Sequence, residues 1–227
     1  MSTITLFGNR LSGHSYKVRL ALVLGDVSHE YRHVSLHLPR EEREPEFRAA
    51  SRWDEVPALV VDGVPMVQSN AILQWLAESE GVLAGQPGER QGIREWLSWE
   101  ANRIGFSLPN LRYSRLFSPL DPGAEAWMET RTRRDLDVLD AHLAKQDYLL
   151  PSGLTIADLS CSGYLWLIED AGLTLDAWPH ARRSVIDYGL PALSGLCASS
   201  IDAVSLEAQV RQAIIDHEPR IRSEEHT

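Results

Sequence analysis

Apolar positions follow two different patterns along the chain. Up to about residue 80, short apolar runs alternate with helical segments, whereas helical periodicity alone remains beyond residue 90. The first region predicts strands over 4–8 and 31–36 and a hairpin over 58–67. Asp62-Gly63, between two apolar runs, is the strongest short signal for that hairpin.

Three helices are predicted among these strands, over 15–25, 41–50 and 69–79. The first is apolar on more than one face and is expected to end at Gly25, whereas the second is strongly charged. The resulting order is β-α-β-α-β-β-α. Because a helix separates the early strands, they are expected to run parallel, and the hairpin adds an antiparallel edge. The sequence therefore predicts a small mixed sheet flanked by helices.

Residues 81–89 are rich in glycine and proline, which is typical of a linker. Helical periodicity follows over 90–113, 121–146 and 155–171, and residues 201–216 are expected to add one more amphipathic helix. We therefore predict an α/β domain over residues 1–80 and an all-helical domain over residues 90–227, joined by the linker.

Charge and composition exclude several classes of partner. The formal net charge of −10 argues against a nucleic acid or an anionic membrane as the main partner. No stretch approaches the roughly 18 apolar residues of a membrane span. Cys161 and Cys197 match no metal-binding spacing, so no metal is expected. The N-terminus lacks the pattern of a secretory signal, and we expect a cytoplasmic protein.

The hairpin region also has features of a ligand site. Val56-Pro57 comes just before the strand and indicates a bend with a possible cis bond. Ser69 is predicted to cap the following helix, whose free N–H groups would then lie beside a sheet edge. Such an arrangement suits a small anionic peptide.

These motifs together resemble the cytosolic glutathione transferase family. The specific matches are Val56-Pro57-Ala58-Leu59, Gln68-Ser69-Asn70-Ala71-Ile72 and Ser12-Gly13-His14-Ser15-Tyr16-Lys17. The last is similar to the start of the first helix in serine-type members of zeta- and theta-like classes. Thr155-Ile156-Ala157-Asp158 matches the family's capping box, which supports the fold only. The resemblance covers roughly residues 3–180 and implies a thioredoxin-like N-terminal domain with a mixed four-stranded sheet, followed by an all-helical domain.

The resemblance implies roles for particular residues. Ser12 aligns with the catalytic serine that stabilises the glutathione thiolate, with Ser15 as the competing hydroxyl and a plain N-cap as the alternative role. Val56 and Pro57 are expected to contact the cysteinyl unit of glutathione. Gln68 and Ser69 are expected to bind its γ-glutamyl end. We favour Arg40 for the glycine carboxylate, and the alternatives are His37 and Arg52.

The resemblance also implies a second substrate. A pocket for a small hydrophobic electrophile is expected between the domains, with candidate walls Leu11, Phe106, Tyr113 and Trp166. Glutathione is then the co-substrate, the reaction is conjugation, and the protein is expected to be a homodimer.

Two departures from the family pattern lie before the Val-Pro step. Asp54 stands where the family has glycine and is expected to adopt the left-handed conformation. Glu55 stands where many members have glutamine and places a carboxylate near the ligand. Glu55 keeps open the alternative of a non-catalytic binding or interaction module on the same fold.

Overall fold

The sheet of the computed structural model, which describes residues 2–187, has four strands in the order β2-β1-β3-β4. They are β1 (Ile4–Gly8), β2 (Glu30–His33), β3 (Ala58–Val61) and β4 (Val64–Val67). β1 runs parallel to β2 and antiparallel to β3, and β3 and β4 form the hairpin at Asp62-Gly63. The predicted mixed four-stranded sheet is confirmed, although β2 is shorter than the predicted run over 31–36.

Three helices accompany the sheet: α1 (Gly13–Leu24), α2 (Pro45–Ala50) and α3 (Ser69–Ser79). α1 begins two residues earlier than predicted because Ser12, rather than a later residue, caps it. It ends at Gly25, as predicted. The predicted helix over 41–50 is divided into a 3-10 turn at Arg40–Glu42 and the short α2, which begins at a proline.

Helices make up the rest of the described chain. They are α4 (Arg90–Asn102), α5 (Ile104–Leu116), α6 (Pro122–Leu143), α7 (Ile156–Ser162) and α8 (Pro179–Asp187). The predicted helical stretch over 90–113 is two helices, because the chain leaves helical conformation at Arg103. The helix predicted over 201–216 lies outside the described residues. No helix within residues 2–187 combines the length and the apolar character that crossing a membrane requires.

Backbone contacts divide the chain into two compact units. Among the described residues, the first comprises 2–106 with 149–164, and the second comprises 107–148 with 165–187. The first unit therefore contains the sheet, α1 to α4 and α7. The domain boundaries predicted at the 81–89 linker stay a prediction.

Buried apolar side chains hold the sheet against its helices. Phe7, Val34, Phe47, Ala50 and Ala58 form one cluster between the sheet and α2, and all five are almost fully buried. Burying a side chain of the size of phenylalanine or valine contributes about 1.5–3 kcal/mol. This packing fixes the ends of β1 and β3, where the candidate site lies.

The capping box predicted at the start of α7 is confirmed. Thr155 Oγ1 accepts from the N–H of Ala157, while Asp158 Oδ2 accepts from the N–H of Thr155 at 2.8 Å. Asp158 Oδ1 also accepts from the N–H of Leu149 at 2.7 Å. The buried carboxylate thus joins α7 to the segment that precedes it within the first unit.

Candidate functional site

The loop between β1 and α1 is held by Asn9. Its Oδ1 accepts from the N–H of Leu11 at 2.9 Å, and its Nδ2 donates to the carbonyl of Val34 at 2.8 Å. The carbonyl of Asn9 accepts from the N–H of Ser12 at 3.1 Å. These bonds fix the backbone that presents Ser12 at the start of α1.

Ser12 caps α1 through its side chain. Its Oγ accepts from the N–H of Ser15 at 3.2 Å, and the residue is 8 % exposed. Accepting this hydrogen bond uses one lone pair of the oxygen and not the hydroxyl proton, so the Ser12 O–H remains able to donate. The N-terminus of α1 adds a partial positive charge at the same place. The capping role and a role in stabilising an anion are therefore compatible in one hydroxyl.

Ser15, the competing hydroxyl, is placed differently. Its Oγ accepts from the N–H of Asn9 at 3.2 Å, and the residue is 1 % exposed. A ligand has less access to this oxygen than to that of Ser12. The geometry of the loop favours Ser12 as the hydroxyl that faces a substrate.

The turn before β3 keeps the shape that the motif implies. The Val56-Pro57 bond is cis, and Asp54 has a φ of +62°, the left-handed conformation expected of it. Arg43 holds this turn, because its guanidinium lies 2.7 Å from Asp54 Oδ2 and donates to the carbonyl of Leu36 at 2.9 Å. Within residues 2–187, neither the N–H nor the C=O of Val56 makes a hydrogen bond. The backbone of Val56 is thus available to an extended peptide.

The prediction that Ser69 caps α3 is wrong. Ser69 is the first residue of the helix, and the N-cap is Gln68, with a φ of +71° and no side-chain bond to the first turn. Because no side chain among the described residues caps α3, the N–H groups of its first turn can serve another acceptor, such as a carboxylate. The anion-binding character expected at this helix therefore remains although the capping residue differs.

Glu55 orients the side chain of Gln68. Gln68 Nε2 donates to Glu55 Oε2 at 3.1 Å. An ionised carboxylate only accepts hydrogen bonds, so the amide NH2 of Gln68 must face it and the amide oxygen turns the other way. The residue that departs from the family pattern is thus in direct contact with a predicted ligand-binding residue.

His14 is a site residue to which the sequence assigned no role. Its Nδ1 lies 3.4 Å from Ser69 Oγ. Its ring packs against the ring of Tyr164 in a T-shaped arrangement, with 4.9 Å between the centroids and 77° between the ring planes. A Cβ at Gly13 would overlap the carbonyl of Gly163 and the ring of Tyr164, so glycine is needed for this close approach. His14, the second residue of α1, thereby contacts Ser69, the first residue of α3.

Two side-chain contacts and adjacency along the chain connect these residues. His14, two residues after Ser12, contacts Ser69. Gln68, the chain neighbour of Ser69, contacts Glu55, which directly precedes Val56 and Pro57. The structure therefore brings five of the predicted glutathione-site residues together on the first unit.

A buried polar cluster that the sequence reasoning missed lies within the same unit. Lys17 Nζ lies 3.0 Å from Glu100 Oε2, and the two side chains are 1 % and 3 % exposed. Asn70 Oδ1 accepts from Lys17 at 2.7 Å, and Asn70 Nδ2 donates to Glu100 at 2.8 Å. Ser160 Oγ donates to Asn70 Oδ1 at 2.7 Å. The cluster joins α1, α3, α4 and α7.

This cluster controls the charges near the site. Burial and, to a smaller extent, the Lys17 ammonium lower the pKa of His14, Glu100 acts in the opposite direction, and the resulting pKa is about 4. Burial alone would raise the pKa of Glu100, but Lys17, His14 and the bonds from Asn70 and Lys17 together lower it. His14 is therefore neutral and Glu100 ionised at neutral pH.

Cys161 lies close to this cluster and is fully buried. Burial raises the pKa of its thiol well above the ordinary value, and the charges of Glu100 and Asp158 raise it further. Cys161 is therefore a protonated thiol at neutral pH, which suits a structural role. Within residues 2–187, no group of three or more His, Cys, Asp or Glu residues could hold a metal ion.

The cations proposed for the glycine carboxylate lie on the segment between β2 and β3. Arg40 begins the 3-10 turn and is exposed, and no ion pair to it is found in the described part of the chain. The guanidinium of Arg52 lies over the ring of Trp53, 4.3 Å from its centroid. Arg40 is thus freer than Arg52 to meet a ligand, and its role stays a prediction.

The four candidate walls of the electrophile pocket are divided between the two units. Leu11 and Phe106 belong to the first unit and are 40 % and 42 % exposed. In the second unit, Tyr113 is 58 % exposed and packs on Phe117 at 5.4 Å, and Trp166 is half-buried. Their common role in one pocket stays a prediction.

Two family models cover most of the described chain. "Glutathione S-transferase, N-terminal domain" matches residues 2–78, and "Glutathione S-transferase, C-terminal domain" matches residues 106–188. A third model, "Baseplate wedge protein gp25", matches residues 167–225, which overlap the second model and otherwise lie almost wholly outside the described residues.

Several curated relatives are 31 % identical to this chain. One is the glutathione S-transferase-like protein LUC7 of Fusarium sp, matched over 68 % of this chain and 73 % of its own length. Another is glutathione S-transferase F10 of Arabidopsis thaliana, matched over 66 % of this chain and 74 % of its own length.

Solved structures agree in fold. A glutathione S-transferase from Xanthobacter autotrophicus py2 is 28 % identical and superposes with a TM-score of 0.73, covering 86 % of this chain and 96 % of that one. A theta-class enzyme from Xanthomonas axonopodis pv. citri, solved with glutathione bound, is 22 % identical, with a TM-score of 0.73 and coverage of 85 % and 95 %.

Proposed function

Because the chain belongs to the cytosolic glutathione transferase family, we propose that it conjugates glutathione to small hydrophobic electrophiles. The thiol of glutathione resembles that of cysteine, with a pKa of about 8.5, so only a few per cent is thiolate at neutral pH. The protein's task is to lower that pKa and to hold the sulfur near the electrophile. The thiol loses its proton to solvent, a sulfur–carbon bond forms, and the leaving group, such as the halide of an aryl halide, departs.

The observation that carries this proposal is the geometry of Ser12. Its hydroxyl accepts from the N–H of Ser15 and keeps its own proton to donate. Donation to the sulfur, together with the positive end of α1, favours the thiolate over the thiol. A shift of one pH unit in the thiol pKa corresponds to about 1.4 kcal/mol.

The rest of glutathione has a place on the same unit. The backbone of Val56, beside Pro57, makes no hydrogen bond within residues 2–187 and offers a donor and an acceptor to the cysteinyl unit. Ser69 and the first N–H groups of α3 suit the γ-glutamyl carboxylate, and the oxygen of Gln68 suits the ammonium. Arg40 is assigned to the glycine carboxylate.

We assign the binding of the electrophile to four side chains, Leu11, Phe106, Tyr113 and Trp166. These side chains are large and apolar or amphipathic, and three of them are exposed enough to meet a ligand. Side chains of this kind favour hydrophobic molecules but do not identify a particular substrate. A substitution such as Tyr113→Ala is expected to change the ranking of aryl-halide substrates more than the affinity for glutathione.

The direct test is Ser12→Ala with glutathione and an aryl halide. We expect kcat/KM for conjugation to fall by about tenfold to a hundredfold, because one anion-stabilising donor is lost. Asp121→Ala is the matched control, because Asp121 Oδ1 likewise caps a helix, α6 in the second unit, through the N–H of Gly123. It should lose a similar amount of stability but keep its rate. An unchanged rate in Ser12→Ala rejects the proposed role.

The second candidate is a non-catalytic binding or interaction module. Glu55 favours it, because its carboxylate contacts Gln68 where many family members have a neutral residue. The Fusarium relative is named a glutathione S-transferase-like protein, which is compatible with the same possibility. Bound glutathione whose thiolate absorbance does not exceed that of free glutathione would favour this module over the enzyme.

We also propose that the protein is a cytoplasmic homodimer, as family membership suggests. Light scattering on the purified protein should give twice the mass of one chain, which is 25.4 kDa. A mass of one chain at micromolar concentration would refute the dimer without affecting the role of Ser12.

A further inference from the structure

His14 lies between the two helix N-termini of the proposed site. It is the second residue of α1, two residues after Ser12, and its Nδ1 lies 3.4 Å from the Oγ of Ser69, the first residue of α3. Tyr164 packs against the ring on another side, with 4.9 Å between centroids. The imidazole is thus held in place by packing and touches a hydroxyl that the proposed function assigns to glutathione.

Three groups with titratable side chains surround this imidazole: Lys17 on α1, Glu100 on α4 and Tyr164. Burial and the Lys17 ammonium keep the pKa of His14 at about 4, so the ring is neutral at neutral pH. A neutral imidazole carries one N–H donor and one acceptor nitrogen. In its contact with Ser69, His14 is therefore either the donor or the acceptor of the hydrogen bond.

The chemistry of the ligand decides which of the two groups donates. A carboxylate accepts hydrogen bonds only, so Ser69 can serve it through the hydroxyl only as a donor. The hydroxyl has only one proton, so once that proton is donated to the carboxylate, Ser69 Oγ can only accept in its contact with Nδ1 of His14. The tautomer with the proton on Nδ1 satisfies both groups.

We propose that His14 is a positioning residue for glutathione: Nδ1–H donates to Ser69 Oγ and thereby directs the Ser69 hydroxyl to the γ-glutamyl carboxylate. This inference rests on the proposed function, because it takes glutathione as the ligand. It assigns to His14 no contact with the reacting sulfur. Loss of this hydrogen bond should weaken the binding of glutathione, so we expect a change in KM for glutathione and not in kcat.

The experiment compares His14→Asn with His14→Leu. Asparagine and leucine have nearly the same shape, and the amide nitrogen of asparagine can occupy the place of Nδ1 and donate, whereas leucine cannot. The Leu variant should raise KM and the calorimetric Kd for glutathione about fivefold to tenfold, with kcat within about twofold. The Asn variant should remain within about twofold of wild type in all three constants.

A second measurement tests whether His14 acts through Ser69. In a Ser69→Ala background, His14→Leu should produce no further rise in Kd, because the hydroxyl that it orients is gone. His29→Ala is the control histidine; it lies beyond the opposite end of α1, where its ring contacts the carbonyl of Val27, and should leave Kd unchanged.

The outcomes separate the two proposals. Equal losses in the Asn and Leu variants, or full additivity with Ser69→Ala, overturn the role of His14 while leaving the transferase assignment intact. Wild-type protein that produces no calorimetric signal with glutathione overturns the proposed function and the role of His14 together. Folding of each variant is checked by its urea midpoint, so that Kd is compared only between folded proteins.

Discussion

The ammonium of Lys17 lies 3.0 Å from the carboxylate of Glu100, and both side chains are almost wholly buried. Asn70 and Ser160 complete the hydrogen bonds of this pair. A buried ion pair is expensive to desolvate and is tolerated because these partners satisfy it. The pair joins α1 to α4, and Asn70 connects both charges to α3, the helix that begins at Ser69.

Removal of one charge of this pair should be strongly destabilising. We expect Lys17→Met to lower the free energy of unfolding by about 3–5 kcal/mol, because Glu100 is left buried without its counter-ion. Urea denaturation with tryptophan fluorescence measures this difference. The double variant Lys17→Met with Glu100→Leu should recover a large part of the loss.

Arg94→Met provides the matched control for this prediction. Arg94 pairs with Glu78 on the surface, at 3.4 Å, and both side chains are 54 % exposed. Its loss should cost less than about 1 kcal/mol. Equal losses for the buried and exposed pairs would contradict the account of the buried cluster.

Stability should depend on pH through His14. The folded pKa of about 4 lies below the ordinary 6.5, so the unfolded chain binds a proton in a range where the folded chain does not. The stabilising contribution is complete above pH 6.5 and is lost as the pH falls toward 4. Urea midpoints of wild type should therefore fall more between pH 7 and pH 4.5 than those of His14→Asn. Parallel curves would show that His14 does not titrate in this way.

Glu55 should assist glutathione binding although it departs from the family pattern. Its carboxylate fixes the amide of Gln68, so the amide oxygen turns away from Glu55. The proposed function assigns that oxygen to the ammonium of glutathione. We expect Glu55→Gln to raise the calorimetric Kd about threefold, with a larger effect at low salt. Glu80→Gln, at the other end of α3, is the control. Tighter binding by Glu55→Gln would mean that the carboxylate repels the ligand.

Asp158 should be important for the stability of the folded protein and not for the binding or conjugation of glutathione. Its carboxylate accepts from the N–H of Thr155 and the N–H of Leu149, and it is 1 % exposed. We expect Asp158→Ala to cost more than about 2 kcal/mol in urea unfolding, because both donors are left buried. At temperatures where it is folded, the variant should bind glutathione with unchanged Kd. A loss below about 0.5 kcal/mol would contradict this importance.

Local patterns were sufficient to predict much of the fold. Asp62-Gly63 between two apolar runs defined the hairpin, and Thr155 with Asp158 defined the start of α7, because these signals act over a few residues. The start of α1 was misplaced by two residues, since either Ser12 or Ser15 is chemically able to cap it. The cap of α3 was wrong because serine is a common N-cap, yet Gln68 takes that place with a positive φ.

The buried cluster could not be predicted from the sequence. Lys17, Asn70, Glu100 and Ser160 are far apart along the chain, and only tertiary packing brings them together. Lys17 gave one signal, since a charged residue inside a helix that is apolar on more than one face needs a buried partner. Nothing local identifies that partner as Glu100, or places His14 beside Ser69.

The central claim is that Ser12 lowers the pKa of bound glutathione, and titration of thiolate absorbance in the complex tests it most directly. For wild type, the midpoint should lie at least about one pH unit below the value of about 8.5 expected for the free thiol, and Ser12→Ala should return it toward that value. A bound thiol that titrates at the same pH in both proteins would contradict the claim.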